Sequence, residues 1–207
     1  MTPPVPGART LITAAPTGGE SAKADIPALP VSVEEVVAAA RSCQAVGAAV
    51  VHLHVRDTDT RPTLDLGRVR EVVTAAREDT DLVVQLSTGG AVTDPFDARL
   101  AEPGAASLTL GTVDSGRDVS ADPWGVTVAA TGVGRTSLPV MLAALSVGGH
   151  LRVGMEDTLT YAPGEPVRDD TQLVARAAGS ARIAQRPPMS TADARSMPGI
   201  PHLEAAP

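Results

Sequence analysis

Ala48-Ala49-Val50-Val51-His52-Leu53-His54-Val55-Arg56-Asp57 is the stretch on which the fold turns. It starts as an apolar, β-branched run and ends in polar residues, the profile of a buried strand emerging into a loop. Side chains two apart on a strand project to the same face, so the imidazoles of His52 and His54 stand together where strand meets loop. Burying two imidazoles on one face is costly unless something binds them. A metal ion is one answer, and core histidines satisfied by backbone carbonyls are the other.

Outward from this stretch, strand-like and helix-like segments alternate in both directions. Residues 11–15 form a short strand entering the turn Pro16-Thr17-Gly18-Gly19-Glu20. Ser32-Val33-Glu34-Glu35 is a capping box. It opens a helix with Val36, Val37, Ala40 and Cys43 at helical spacing, closed near Gly47. A second helix is expected over 66–77, and a third strand over 82–86 delivers Ser87-Thr88-Gly89-Gly90. A short helix at 94–101 leads to a fourth strand at 106–110, and residues 113–123 then show neither period. A fifth strand, 125–130, ends in Thr131-Gly132-Val133-Gly134-Arg135. An Ala/Leu helix follows over 138–147 and is broken by Gly148-Gly149. A sixth strand, 150–155, ends in Glu156-Asp157, ahead of helical stretches at 170–185 and 191–196. Repeated βα units with polar residues at the strand C-termini indicate a parallel α/β architecture, barrel or open sheet.

The composition suits that architecture. In 207 residues, 43% hydrophobic with mean hydropathy +0.07, the only aromatics are Phe96, Trp124 and Tyr161, so Val, Ala and Leu must fill the core. A net charge of -7 without a long basic run argues against nucleic-acid binding. Cys43 is the sole cysteine, which excludes an intrachain disulfide and a thiolate metal cluster. Residues 1–10 have no apolar leader-like core, and the most apolar stretch, 138–149, is too short to span a bilayer. A soluble cytoplasmic protein with no membrane partner is expected.

Polar residues at strand ends are where a barrel keeps its active site. Here they are Glu20, His52, His54, Arg56, Asp57, Ser87, Thr88, Ser107, Arg135, Arg152, Glu156 and Asp157. Two histidines and a carboxylate are a zinc ligand set that leaves a position open for substrate. Glu156 is the best-placed third ligand, because in a closed barrel the last strand abuts the first and lies close to the second. The plain alternative for Glu156-Asp157 is an acidic pair capping the next loop. Arg152 shares a strand face with Glu156 and either holds a carboxylate, orients Asp157, or forms a surface ion pair of little value. Ser87-Thr88-Gly89-Gly90 presents hydroxyl and amide donors to an anion, or is an ordinary strand-to-helix turn. His150, at a strand beginning, is expected to be structural.

Five blocks in order resemble the β-keto acid cleavage enzymes. They are Ile12 through Glu20, Val51-His52-Leu53-His54-Val55-Arg56-Asp57, Gln85-Leu86-Ser87-Thr88-Gly89-Gly90, Gly132-Val133-Gly134-Arg135, and Gly148-Gly149-His150-Leu151-Arg152-Val153-Gly154-Met155-Glu156-Asp157. The resemblance implies a zinc-dependent TIM barrel that condenses a β-keto acid with acetyl-CoA, moves CoA onto the substrate's acyl portion and releases acetoacetate. It implies zinc on His52, His54 and Glu156, and Asp157 as the base for the α-proton with Arg152 beside it. Glu20, Ser87 and Ser107 would contact substrate or intermediate, Ser107 standing where a relative has Thr. Thr88, Gly89, Gly90 and Arg135 complete the expected substrate-binding set. Family members form oligomers, so a homo-oligomer is expected.

The chain also departs from the family. An eightfold barrel typically takes ~250 residues, and here residues 113–123 stand where two βα units of roughly 30 residues apiece belong. The expectation is a TIM-barrel-derived parallel β/α fold with six recognisable strands, units five and six missing. It forms one domain over 1–207 with loose tails at 1–9 and 199–207. The expected activity is the family's. The alternatives are a non-catalytic, truncated remnant that binds zinc or serves as an assembly subunit, and a zinc-dependent hydrolase or lyase without CoA dependence.

Overall fold

Five parallel strands carry the site in the computed structural model, which describes residues 9–87 and 128–197. They are β1 (Ile12–Ala14), β2 (Val50–Leu53), β3 (Val83–Leu86), β4 (Ala129–Ala130) and β5 (His150–Val153), hydrogen-bonded in the order β3-β2-β1-β5-β4. The first strand therefore sits between the second and the last, the neighbourhood of a barrel seam. Among the described residues the sheet ends at β3 and β4. The expected helix at 94–101, fourth strand at 106–110, polar segment at 113–123 and tail at 199–207 lie outside the described residues, as do residues 1–8.

Register sorts the side chains onto two faces. Ile12 pairs with Leu151 and Ala14 with Val51 and Val153. With Leu53, these residues form an apolar outer face that is 4% exposed or less. The helices α1 (Val33–Val46), α2 (Leu66–Asp79) and α4 (Asp170–Ile183) cover it, α3 (Ser137–Ser146) packing alongside. On the other face Thr13 pairs with Val50 and Arg152, and His52 with Gln85. The lower part of that inner face is an apolar plug of Leu11, Ala49 and Val50 under Ala194 of α5 (Thr191–Arg195). Polarity thus rises along the inner face towards the strands' carboxyl ends.

Local signals work as the sequence states them. Ser32 caps α1: its hydroxyl accepts from the Glu35 N–H at 3.2 Å, and the Glu35 carboxylate accepts from the Ser32 N–H at 3.1 Å. Asp65 and Asp169 cap α2 and α4 through their carboxylates. Cys43 is fully buried in the core, which raises its thiol pKa. Two short strands that the sequence pattern does not announce, β6 (Thr160–Ala162) and β7 (Glu165–Pro166), pair antiparallel across Pro163-Gly164, where Gly164 takes φ 78°. No described helix is long and apolar enough to cross a membrane.

His150 is structural, as its position suggests. Its Nδ1 accepts the Leu11 N–H at 3.0 Å, which requires the neutral ring. Burial, and then the Arg186 guanidinium, push its pKa from 6.5 to about 4. The contribution is complete above pH 6.5, where both folded and unfolded rings are neutral. It is lost as pH falls from 6.5 to about 4, because the unfolded chain takes up the proton first. Stability is expected to decline there by up to about 1.4 kcal/mol per pH unit from this group. His150→Gln, which keeps an acceptor, should flatten the decline. Urea midpoints at three pH values between 7 and 4.5 check this, and an equally steep decline in the variant would remove His150 as the cause.

Candidate metal centre

Three side chains converge above the inner face. His52 is on β2, His54 follows it, and Glu156 follows β5. One ligand atom from each lies within 4.8 Å of the others. His54 Nε2 is 3.3 Å from Glu156 Oε1, His52 Nε2 is 3.9 Å from Oε2, and the two rings meet edge to face at 5.2 Å. Glu156 is held there by the backbone. At the end of β5 the Ala15 N–H donates to Val153 O, and the Glu156 N–H, in the turn that follows, donates to Ala15 O at 3.1 Å. Gly154 makes that approach possible, since a Cβ on it would lie 1.9 Å from the Ala15 carbonyl oxygen. From behind, the Met155 N–H donates to Asp170 at 2.8 Å, a carboxyl that burial pushes up to about 7.

The donor set fits zinc. Tetrahedral bonds of 2.0–2.2 Å place ligand atoms roughly 3.4 Å apart, beside the 3.3 and 3.9 Å from His54 and His52 to Glu156. Burial, and then Arg152, push the His52 pKa down to about 4, which leaves the ring in the neutral form that a metal ligand requires. Burial raises Glu156, but the hydrogen bond from His54 and the Arg152 charge outweigh it and keep the carboxylate ionised. Glu156 Oε2 is buried with no hydrogen-bond partner, an orphan that a cation would satisfy. Gln85 Oε1 lies 3.0 Å from His52 Nδ1. With Nδ1 as donor, His52 Nε2 keeps its lone pair for a metal.

Arg152 joins the carboxylates. Its Nε and a terminal nitrogen fork onto Asp157 at 3.1 and 3.0 Å, and the same nitrogen reaches Glu156 Oε1 at 2.6 Å. This is a largely buried ion triad rather than the surface pair or loop cap that the sequence also allowed; the Asp157 side chain is 7% exposed. Asp157 also ties down the loop after β4, its main-chain carbonyl accepting the Gly134 N–H at 2.9 Å.

Ser87 follows β3, and its N–H donates to Leu53 O at 2.9 Å, beside the His54 backbone. Glu20 and Arg135 are exposed and carry no ion pair among the described residues. Thr88, Gly89, Gly90 and Ser107 lie outside them. Asp57 builds a turn, its carboxylate accepting the N–H groups of Asp59 and Arg61. Arg56, 4% exposed, turns away from the triad to bind loop carbonyls. Its strand-end position fits either direction.

The comparisons with known proteins bear on this geometry. The chain matches the family described as beta-keto acid cleavage enzyme over residues 9–125 and 117–200. It belongs to that family. The 3-keto-5-aminohexanoate cleavage enzyme of Acetoanaerobium sticklandii is 28% identical over 269 residues, spanning 93% of this chain and 98% of that enzyme. The 3-oxoadipate:acetyl-CoA acetyltransferase of Cupriavidus necator is 24% identical over 272 residues, spanning 94% and 96%. Since this family member has 207 residues, at least 62 of the 269 aligned positions have no counterpart here, the equivalent of two βα units. The two family matches meet at 117–125, at the stretch with neither period. The fold is that of ObcA, whose apo structure superposes with a TM-score of 0.63 at 14% identity over 82% of this chain; the chain spans 65% of ObcA. It is a TIM-barrel-derived parallel β/α fold, shorter than its full-length relatives.

Proposed function

We propose that this chain is a zinc-dependent β-keto acid cleavage enzyme, condensing a β-keto acid with acetyl-CoA and releasing acetoacetate and a new acyl-CoA. The observation that carries the reading is the convergence of His52, His54 and Glu156 beside the Arg152–Asp157 fork at the strands' carboxyl ends. It lies within a chain whose relatives are named as a 3-keto acid cleavage enzyme and an acetyl-CoA acetyltransferase. The balance is simple: the substrate's α-carbon bonds to the acetyl carbon, the bond from that α-carbon to the original acyl carbon breaks, and CoA passes to the departing acyl group.

The residues divide the work. His52, His54 and Glu156 hold zinc, which supplies Lewis acidity towards the keto and carboxylate oxygens. Asp157 removes the α-proton, and Arg152 fixes its orientation while offsetting the local negative charge. Glu20, Ser87, Ser107 and Arg135, with Thr88, Gly89 and Gly90, bind substrate. The enzyme is expected to act in the cytoplasm as a homo-oligomer. The half-exposed Leu138 and Leu142 on α3 suit contact with a second copy.

Absence of about two βα units favours the rival reading, a non-catalytic remnant. One experiment separates them: acetoacetate release from a panel of β-keto acids with acetyl-CoA, alongside metal analysis and light scattering. CoA-dependent release on one substrate by a zinc-bearing oligomer is expected. Zinc binding without release from any substrate would leave the remnant, and release without CoA would indicate a hydrolase or lyase.

A further inference from the structure

Gly18 stands against Glu156 for a reason that its own backbone does not supply. Its φ is not in the left-handed region, so conformation does not require glycine there. Space does: a Cβ at Gly18 would lie 2.9 Å from Glu156 Cγ and 3.5 Å from its Cα and Cβ. The segment that carries Gly18 is clamped by Arg56. One terminal nitrogen of Arg56 donates to the Gly18 and Ser21 carbonyls, the latter at 2.9 Å, and the other donates to Thr60 O at 3.0 Å. Arg68 at the start of α2 donates in turn to the Arg56 carbonyl at 3.1 Å. Arg56 follows His54 by two residues, so one side chain joins the histidine-bearing segment to the loop that backs the third ligand.

We propose that Arg56 and Gly18 are positioning residues for the metal site: Arg56 pins the loop after β1, and the loop's bare backbone at Gly18 sets where the Glu156 carboxylate stands. A side chain at 18 must push Glu156 back until the contact is ordinary, from 2.9 to at least 3.4 Å. That displaces one of three ligands and leaves the other two in place. The clamp also fixes both ends of Gly18-Gly19-Glu20-Ser21, and so the reach of Glu20. The inference rests on the zinc reading of the triad.

The test is zinc affinity by chelator competition on purified Gly18→Ala, Arg56→Lys and Gly179→Ala, with crystal structures of wild type and Gly18→Ala. Gly179 lies in α4 with nothing within 4 Å of its would-be Cβ and controls for a generic Gly→Ala effect. Gly18→Ala should lose about 10–100-fold in zinc affinity, the range for disturbed support of a ligand, while still melting cooperatively. Arg56→Lys should lose affinity too, because a single ammonium cannot span the carbonyls on both sides. Gly179→Ala should match wild type. Removal of Arg56 altogether orphans buried carbonyls and risks the fold, which is why Gly18→Ala decides. Affinity within twofold of wild type in a folded Gly18→Ala overturns the proposal. Wild type without zinc affinity sinks the zinc reading instead. The clamp is then judged on the crystal structures: Glu156 shifted by about 0.5 Å or more with His52 in place supports it, and an unmoved Glu156 overturns it.

Discussion

His52→Ala and His54→Ala are each expected to purify without stoichiometric zinc. The expectation follows from how few donors there are. The triad offers three ligand atoms within 4.8 Å, and among the described residues no other histidine, cysteine or carboxylate joins them. Removing an imidazole leaves two protein ligands and a cavity, where tetrahedral zinc needs at least three. The loss should exceed the ~10–100-fold that follows disturbance of an outer partner. The Glu156 carboxylate stays buried in either variant, with Arg152 at 2.6 Å as its remaining cation, so the fold should persist while the metal goes. Metal analysis after dialysis against a weak chelator reads the result. Full zinc retention in both variants would sink the ligand assignment.

What the sequence discloses about this site, and what it withholds, follows from the range of the forces involved. The facing of His52 and His54 is a property of strand geometry alone, and it needs no knowledge of the partner strands. The approach of Glu156 needs one further fact, that β1 lies between β2 and β5, and barrel topology supplies it. The Arg152–Asp157 fork is less accessible. Five residues apart on a strand, the two would face opposite sides. They meet because the chain leaves the strand at Gly154, whose carbonyl accepts the N–H groups of Asp157 and Thr158, and this turn swings Asp157 back onto Arg152. Arg56 shows the opposite case. Its position, two after His54, marks it for the site, but a guanidinium with five donors goes wherever unpaired carbonyls lie. Here these are Gly18, Ser21 and Thr60, set by the path of loops that carry no periodic signal. The β6/β7 pair is missed because strands of two and three residues leave no alternation to detect.

Asp157→Asn is expected to keep zinc and to lose exchange of the substrate's α-proton with solvent. Asn matches Asp in shape, so Arg152 retains an oxygen to bind and the neighbouring triad is little disturbed. An amide cannot accept the proton, however, and a positioned general base is typically worth about 10²–10⁴-fold. Deuterium incorporation at the α-carbon isolates this step from CoA transfer. It therefore remains measurable even where the shortened barrel handles the second substrate poorly. Arg152→Lys probes the same step from the other side. In the native protein both Asp157 oxygens accept from one planar fork at 3.0 and 3.1 Å, and the shared nitrogen also engages Glu156. An ammonium is a point charge and holds at most part of this geometry, so exchange should fall although the net charge is unchanged. Metal content should hold better in Asp157→Asn than in Arg152→Lys, because Arg152 touches a proposed ligand directly and Asp157 reaches it only through the fork. A loss of exchange under tenfold in Asp157→Asn would move the base to another residue. A wild-type protein that binds zinc but exchanges no α-proton with any β-keto acid would show that the site outlived the wall of the barrel that once presented substrate to it.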